Sequence, residues 1–142
     1  MTTVTRLNDV MIDFNKRMRL MKEEMSKQFQ NELKSIFKEV FETYPNVKKM
    51  AWTQYTPYFD DGETCIFSVH EIYVCDETCD PEDNLYDWLD ISLGDDKNKY
   101  PMITEINNML SQSEDILLLL FGDHVKITVS PKGIDVEEYE HE

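Results

Sequence analysis

The chain has 142 residues and a net charge of −15, and 41% of its residues are hydrophobic, including seven Phe, seven Tyr and two Trp. This composition excludes a disordered acidic tail, because it supplies enough apolar and aromatic surface for the core of one domain. The charge excludes electrostatic attraction to nucleic acid or to an anionic membrane surface.

The negative charge is confined to the second part of the chain. Residues 1–50 contain ten Lys/Arg and seven Asp/Glu, whereas residues 51–142 contain four Lys/Arg and twenty-two Asp/Glu. No segment approaches the ~20 apolar residues that cross a bilayer, and the N-terminus lacks the pattern of a secretory signal. Three cysteines are an odd number, so we expect a reduced, cytoplasmic setting. The negative charge of residues 51–142 leads us to expect a partner with a basic surface.

The first predicted element is a single long helix from about Arg6 to Tyr44. Good helix formers dominate this stretch, and Pro45 ends it because the residue before a proline avoids the helical conformation. A helix of about 38 residues is about 57 Å long, whereas a compact chain of this size is about 40 Å across. We therefore expect the N-terminal half to extend beyond its own domain. The alternative is a bent helix that packs wholly on its own sheet.

That N-terminal half carries an apolar stripe suited to self-association. Its members recur at alternating steps of four and three residues, which is the 3.5-residue period of a coiled coil. They are Leu7, Met11, Phe14, Met18, Met21 and Met25. We expect a homodimer with antiparallel helices, because a parallel pairing would place Arg17 and Lys22 opposite like charges.

The middle of the chain has the pattern of an antiparallel hairpin. Val47 to Tyr55 and Thr64 to Val74 are predicted strands, and Asp61-Gly62 between them supplies the positive φ angles of a tight turn. An acidic loop is predicted from Cys75 to Asp83. The next segment, Asn84 to Leu93, has the spacing of either a helix or a short strand.

The remaining elements are a second helix and two strands. The helix is predicted from Met102 to Phe121, and the strands from Val125 to Val129 and from Ile134 to Val136, joined by a turn that contains proline and glycine.

Together these elements predict an α+β fold. We expect a long N-terminal helix and an antiparallel β-sheet on which a second helix packs. The chain would form a single domain, with the long helix in residues 1–45, the sheet and second helix in 46–136, and a frayed acidic tail in 137–142.

Two stretches resemble small proteins of tailed bacteriophages. One is WTQYTPYFDDGETCIFSV, from Trp52 to Val69, and the other is the closing stretch FGDHVKITVSPKGIDVEEYEHE. The resemblance implies a virus-encoded protein that acts in a bacterial cytoplasm, and it implies no catalytic residues. The first stretch contains five aromatic residues that would form either core or a contact surface. They are Trp52, Tyr55, Tyr58, Phe59 and Phe67.

Four residues are of the types that bind zinc: Cys65, His70, Cys75 and Cys79. Their spacing matches neither a zinc ribbon nor a zinc finger. On one continuous strand Cys65 and Cys75 would be about 33 Å apart, too far to share an ion. We expect free thiols, no metal site and no cofactor. Because the chain also lacks a recognisable catalytic or phosphate-binding motif, we expect no enzymatic activity.

Two acidic clusters are the predicted partner-binding residues. The first comprises Asp76, Glu77, Asp80, Glu82, Asp83, Asp87, Asp90, Asp95 and Asp96. The second comprises Glu137, Glu138, Glu140 and Glu142. Charged runs of this kind form either a solvated face or a recognition surface.

The predicted function is that of a non-enzymatic, phage-encoded inhibitor or modulator of a host protein. Its carboxylates would act as a DNA mimic and occupy the places where the partner's Lys and Arg meet phosphates. One alternative is a groove-binding protein that contacts its partner through the Met-rich helix. Another is an enzyme that uses carboxylates and a divalent cation.

Overall fold

The computed structural model describes residues 2–57, 65–91 and 98–140, and it has the predicted α+β class. The chain divides into two compact units, Met1–Leu33 and Lys34–Glu142, and the boundary lies within the first helix. Helix α1 spans Thr3–Thr43, which confirms the predicted long helix. Among the helices described, none is both long enough and apolar enough to span a membrane.

The second unit contains an antiparallel sheet. Its strands are β1 (Lys49–Tyr55), β2 (Ser68–Val69), β3 (Tyr73–Cys75), β4 (Leu89–Asp90), β5 (Val125–Ser130) and β6 (Gly133–Glu138). The strand order is β4-β3-β1-β5-β6, and β2 also pairs with β1. Strand β1 is therefore central, which agrees with the burial of six of its seven residues.

The single second helix predicted from Met102 to Phe121 is in fact two helices, α2 (Pro101–Ser111) and α3 (Glu114–Phe121). At the break, the hydroxyls of Ser111 and Ser113 donate to main-chain carbonyls of the preceding turn at 2.8 and 2.9 Å. Such local bonds compete with the regular helical pattern and end a helix. The apolar spacing continues through the break and therefore did not predict it.

The strand predicted from Thr64 to Val74 is also interrupted. Both β2 and β3 pair with β1, but the register shifts by one residue between them. Glu71 and Ile72 therefore oppose the single residue Trp52, which is the geometry of a β-bulge. Asn107 Oδ1 of α2 accepts a hydrogen bond from the Ile72 N–H at 2.9 Å. A helix side chain thus satisfies a donor that the bulge removes from the sheet.

The other predicted strands are confirmed at β1, β5 and β6. The segment from Asn84 to Leu93 was predicted as either a helix or a short strand. Its described part contains a short piece of each, a 3-10 turn (Leu85–Asp87) followed after Trp88 by β4. The turn predicted at Asp61-Gly62 lies outside the described residues.

Alternation along β1 gives the sheet two faces of different character. On the helix face, Trp52 packs against Phe37 of α1 and Phe121 of α3, with ring centroids 6.1 and 6.2 Å apart. Buried aliphatic residues of the sheet and of α2 and α3 complete this core. On the opposite face, Ala51 packs in a second cluster with Cys75, Leu85 and Trp88.

Gln54 is a buried polar residue on the helix face. Its Oε1 accepts a hydrogen bond from Trp52 Nε1 at 3.1 Å, and its Nε2 donates to the carbonyls of Leu117 and Gly122 at 3.0 and 2.8 Å. Because these carbonyls lie in and just after α3, Gln54 satisfies the C-terminal end of that helix. The side chain therefore fixes α3 against β1.

Candidate functional site

Asp76, the first carboxylate of the predicted partner-binding set, is fully buried. Its Oδ1 accepts hydrogen bonds from the N–H and the hydroxyl of Thr78 at 2.9 and 2.6 Å. Its Oδ2 accepts a hydrogen bond from the Tyr100 hydroxyl at 2.6 Å and lies 3.1 Å from Lys99 Nζ. The prediction that Asp76 binds a partner is therefore wrong, because its carboxylate joins the loop after β3 to the start of α2.

These contacts set the protonation state of Asp76. Burial alone would raise the pKa of this carboxyl, but the hydrogen bonds from Thr78, Tyr100 and Lys99 outweigh burial and hold the pKa well below its usual value. Burial and the hydrogen bond to Asp76 raise the pKa of Tyr100. Asn46 Nδ2 also donates to the Tyr100 hydroxyl at 2.9 Å. The junction is thus a charged carboxylate held by neutral and cationic donors.

The remaining carboxylates of the first cluster are mostly at the surface. The exposed ones are Glu77, Asp80, Glu82, Asp83 and Asp87. Asp90 is half-buried in β4, where it pairs with Tyr73. Asp95 and Asp96 lie outside the described residues.

The second cluster is partly within the sheet. Glu137 and Glu138 belong to β6 and pair with residues of β5, so the prediction of a frayed tail is wrong for these two positions. Glu137 Oε1 also lies 3.6 Å from Lys126 Nζ. Glu140 follows the strand and is exposed, whereas Glu142 lies outside the described residues.

The two acidic clusters, called the two acidic groups from here on, lie at opposite edges of the sheet. Asp90 is in β4 and Glu137 is in β6, and these are the two ends of the strand order. Four strand spacings of ~4.8 Å separate them, which is about 19 Å. The carboxylates therefore form two groups and not one continuous ridge.

A patch of tyrosines lies between the two acidic groups, on the face of the sheet opposite the helices. We define the tyrosine patch as Tyr55, Tyr73, Tyr86 and Tyr139. Tyr86, in the turn before β4, and Tyr139, just after β6, share a hydrogen bond between their hydroxyls at 2.7 Å. The N–H of Tyr139 donates to the carbonyl of His124 at 2.8 Å, which continues the β5–β6 ladder. The patch therefore connects the two outer regions of the sheet.

The rings of the tyrosine patch contact one another in pairs. The centroids of Tyr73 and Tyr86 are 5.6 Å apart in an edge-to-face arrangement, and those of Tyr55 and Tyr139 are 5.7 Å apart. Tyr55 also stacks on His70 at 4.3 Å. The ring of Tyr86 is 58% exposed, so the patch presents aromatic surface to solvent.

The hydroxyls of Tyr73 and Tyr139 remain protonated at neutral pH. Burial, followed by the charges of Asp90 and Glu71, raises the pKa of Tyr73 to about 12. Burial and the hydrogen bond with Tyr86 raise the pKa of Tyr139. The patch therefore offers ring faces and, at Tyr73 and Tyr139, neutral hydroxyls, with negative charge supplied by the carboxylates around it.

Such an arrangement suits a cationic side chain. Lys and Arg are attracted to the faces of aromatic rings, and the attraction grows when the cation loses water. Tyrosine is also among the residues that contribute most to binding energy at protein interfaces. Carboxylates at the margins of the patch, at Glu71, Asp90 and Glu137, supply charge complementarity to the same ligand.

Sequence reasoning missed most of this patch. Tyr55 was placed in the aromatic hairpin, but Tyr73, Tyr86 and Tyr139 were not assigned to a site. Alternation along β1 and β6 was an available signal, since it places Tyr55 and Tyr139 on one face once the pairing is known. The approach of Tyr86 depends on the course of the turn before β4, which has no comparable signal.

Helix α1 leaves the predicted self-association stripe uncovered. Leu7, Met11, Phe14, Met21 and Met25 are between 49% and 61% exposed, and Met18 is half-buried. These side chains are therefore accessible for contact with another surface.

The cysteines are free thiols. The expected separation of about 33 Å between Cys65 and Cys75 assumed one continuous strand. That assumption is wrong, because β2 and β3 are separate strands with a shift in register between them. Burial, followed by the proximity of Cys79, raises the pKa of Cys75 to about 11, so this residue is a thiol at neutral pH. Within the part of the chain that the structure describes, no three His, Cys, Asp or Glu side chains converge closely enough to hold a metal ion.

No protein-family model, curated protein or solved structure matches this chain.

Proposed function

We propose that this protein is a non-enzymatic inhibitor or modulator that binds a basic surface of another protein. The binding surface is the tyrosine patch together with the exposed carboxylates on either side of it. The observation that carries the proposal is the 2.7 Å hydrogen bond between Tyr86 and Tyr139. It joins the two outer regions of the sheet and so places aromatic faces between two acidic groups, in a chain whose net charge is −15.

The resemblance to tailed-phage proteins supports a partner in the bacterial host. A nucleic-acid-binding surface fits best, because its Lys and Arg are already arranged to neutralise phosphates. The two acidic groups, about 19 Å apart, would contact separate basic areas of the partner. The mimicry would therefore concern charge at two places and not a continuous line of phosphates.

The test is capture of proteins from a bacterial lysate on the immobilised full chain, with washes of increasing salt. We expect a basic partner to be captured and to be released as salt rises, because exposed charges are screened. Reversal of Asp80, Asp83 and Asp87 to Lys should abolish capture. The matched control reverses Glu39, Glu105 and Asp115 to Lys, which are exposed carboxylates of α1, α2 and α3. Equal capture by both reversed variants would contradict the electrostatic mechanism.

Self-association through α1 is the second part of the proposal, and the exposed apolar stripe supports it. We expect Met18→Glu with Met21→Glu to convert a dimer into a monomer in sedimentation experiments without loss of basic-partner capture. The control is Val10→Glu with Ile12→Glu, which changes two exposed apolar residues outside the stripe. Loss of capture in the Met18 and Met21 variant alone would favour the alternative that α1 binds the target.

A further inference from the structure

Strand β6 is an outer edge of the sheet, and alternate residues direct their main-chain groups away from it. Among the described residues it pairs only with β5. The N–H of Tyr139 donates inward to His124, and the direction of main-chain groups alternates along an antiparallel strand. The N–H and C=O groups of Ile134, Val136 and Glu138 therefore point outward. No hydrogen bond among the described residues occupies them.

The side chains of β6 form two rows of different chemistry. Asp135 and Glu137 lie on the side of the tyrosine patch, and both are exposed. Ile134 and Val136 lie on the helix side, where Val136 is 42% exposed. Glu138, the last residue of the strand, lies on the same side as Ile134 and Val136. Between Ile134 and Glu137, an added strand would therefore meet carboxylates on one face and apolar side chains on the other, because cross-strand neighbours share a face.

A groove continues the apolar row at the tip of the β5–β6 hairpin. It has a volume of about 500 Å³ and lies between the α1 residues after Lys34 and the hairpin residues from Val129 to Ile134. Phe37 and Phe41 contribute aromatic surface to it. Three lysines also line it: Lys34, Lys38 and Lys132. Glu42 is the one acidic residue in this lining. Because the lysines outnumber it, this side of β6 is less favourable to a cationic side chain than the side with Asp135 and Glu137.

A second copy of the chain is a poor partner for this edge. Antiparallel pairing of two β6 strands would bring Asp135, Glu137 and Glu138 of one copy close to the same residues of the other. Like charges on adjacent strands are destabilising, and natural proteins use them to protect open edges. A basic strand reverses the sign of this interaction.

We propose that the outer edge of β6 binds an extended basic segment of the partner as an added antiparallel strand, in which Lys or Arg alternates with apolar residues. This inference rests on the proposed function and specifies how the basic partner is held. The cationic side chains lie beside Asp135, Glu137 and the tyrosine patch, and the apolar ones lie beside Ile134 and Val136. Main-chain hydrogen bonds supply affinity, and the two rows of side chains supply specificity.

The test uses a short synthetic peptide of alternating Lys and Val in equal number, and two N-methylated forms of it, titrated calorimetrically into the full chain. In the antiparallel arrangement, the peptide residue opposite Val136 is a valine that directs its N–H toward β6. Methylation of the main-chain nitrogens of the valines removes the hydrogen bonds that their N–H groups would donate to β6. We expect affinity to fall by about tenfold or more. Methylation of the main-chain nitrogens of the lysines, which face away from β6, should leave affinity close to that of the unmodified peptide.

The two methylated peptides have the same charge, length and number of methyl groups, so they separate strand addition from electrostatics. Equal binding of all three peptides, or loss only on lysine methylation, overturns the added antiparallel strand and leaves the proposed function in place. Binding of none of them overturns both.

A variant of the protein gives an independent measurement. Val136→Pro removes an outward N–H that bonds to none of the described residues, and proline is tolerated on edge strands at such positions. We expect an unchanged circular dichroism spectrum and a loss of affinity for the unmodified peptide of about tenfold. Gln112→Ala, at an exposed position between α2 and α3, is the control and should bind as the wild type does. Unchanged affinity of a folded Val136→Pro variant would contradict the inference.

Discussion

Asp76, in the loop after β3, and the carboxylates of β6 lie in two regions of the molecule with different surroundings. Asp76 is fully buried and accepts hydrogen bonds from Thr78 and Tyr100 beside the ammonium group of Lys99. Asp135 is exposed on an outer strand. The difference teaches that acidic composition alone does not define a binding surface. A carboxylate stabilises the fold where fixed donors surround it, and it is available to a partner where solvent surrounds it.

The largest expected effect is on stability, at the buried region. We expect Asp76→Ala to lower the free energy of unfolding by about 3 kcal/mol, because removal of one member of a buried charged network leaves the others without a partner. Asp83→Ala, at an exposed position, should change it by no more than about 0.5 kcal/mol. Urea denaturation measures both, and equal effects would remove the distinction between the two regions.

The same carboxylate makes stability depend on pH. The pKa of Asp76 is lower in the folded protein than its ordinary value of 3.8. Its stabilisation is therefore fully present above about pH 4 and is lost as the pH falls toward the folded-state pKa. We expect wild-type stability in urea to decline below pH 4, and the decline to be shallower in Asp76→Ala. Parallel declines in the two proteins would contradict this assignment.

An intermediate effect is expected at the other buried polar side chain, Gln54. Gln54→Leu should lower the free energy of unfolding by about 2 kcal/mol, because it leaves Trp52 Nε1 and two carbonyls of α3 and its end unsatisfied. The matched control is Gln112→Leu, since Gln112 is exposed. A neutral result for Gln54→Leu would show that water or a shift of α3 replaces these bonds.

A smaller effect than at Asp76 or Gln54 is expected in the tyrosine patch. Tyr86→Phe removes the hydroxyl bonded to Tyr139 and should cost about 1 kcal/mol. It should also lower the pKa of Tyr139, because that hydrogen bond contributes to its raised value. Spectrophotometric titration of phenolate measures the shift. An unchanged tyrosine titration would contradict the contact between the two hydroxyls.

Elements governed by local pattern were predictable from the sequence. Helix α1 lacks Gly and Pro before Pro45, and β5 and β6 alternate around a proline–glycine turn, so both were placed correctly. The break between α2 and α3 depends on the carbonyls to which the hydroxyls of Ser111 and Ser113 donate. Apolar spacing does not predict these hydrogen bonds.

The candidate site was less predictable because it depends on contacts between distant segments. Asp76 belongs to an acidic run in the sequence, and its burial depends on Tyr100, which is 24 residues away. The bulge at Ile72 depends on Asn107 of α2. The tyrosine patch likewise depends on Tyr86 reaching Tyr139 across 53 residues. Each of these pairings follows from tertiary packing, which composition and periodicity do not specify.

The most direct test of the binding surface is to map the alternating Lys–Val peptide on the isotope-labelled full chain by amide chemical shifts at low and high salt. We expect the largest changes in β6 and at Tyr86 and Tyr139, and we expect them to diminish as salt rises. Changes centred on α1 between Leu7 and Met25, or no changes at low salt, would contradict the proposal that tyrosines and flanking carboxylates bind a basic partner.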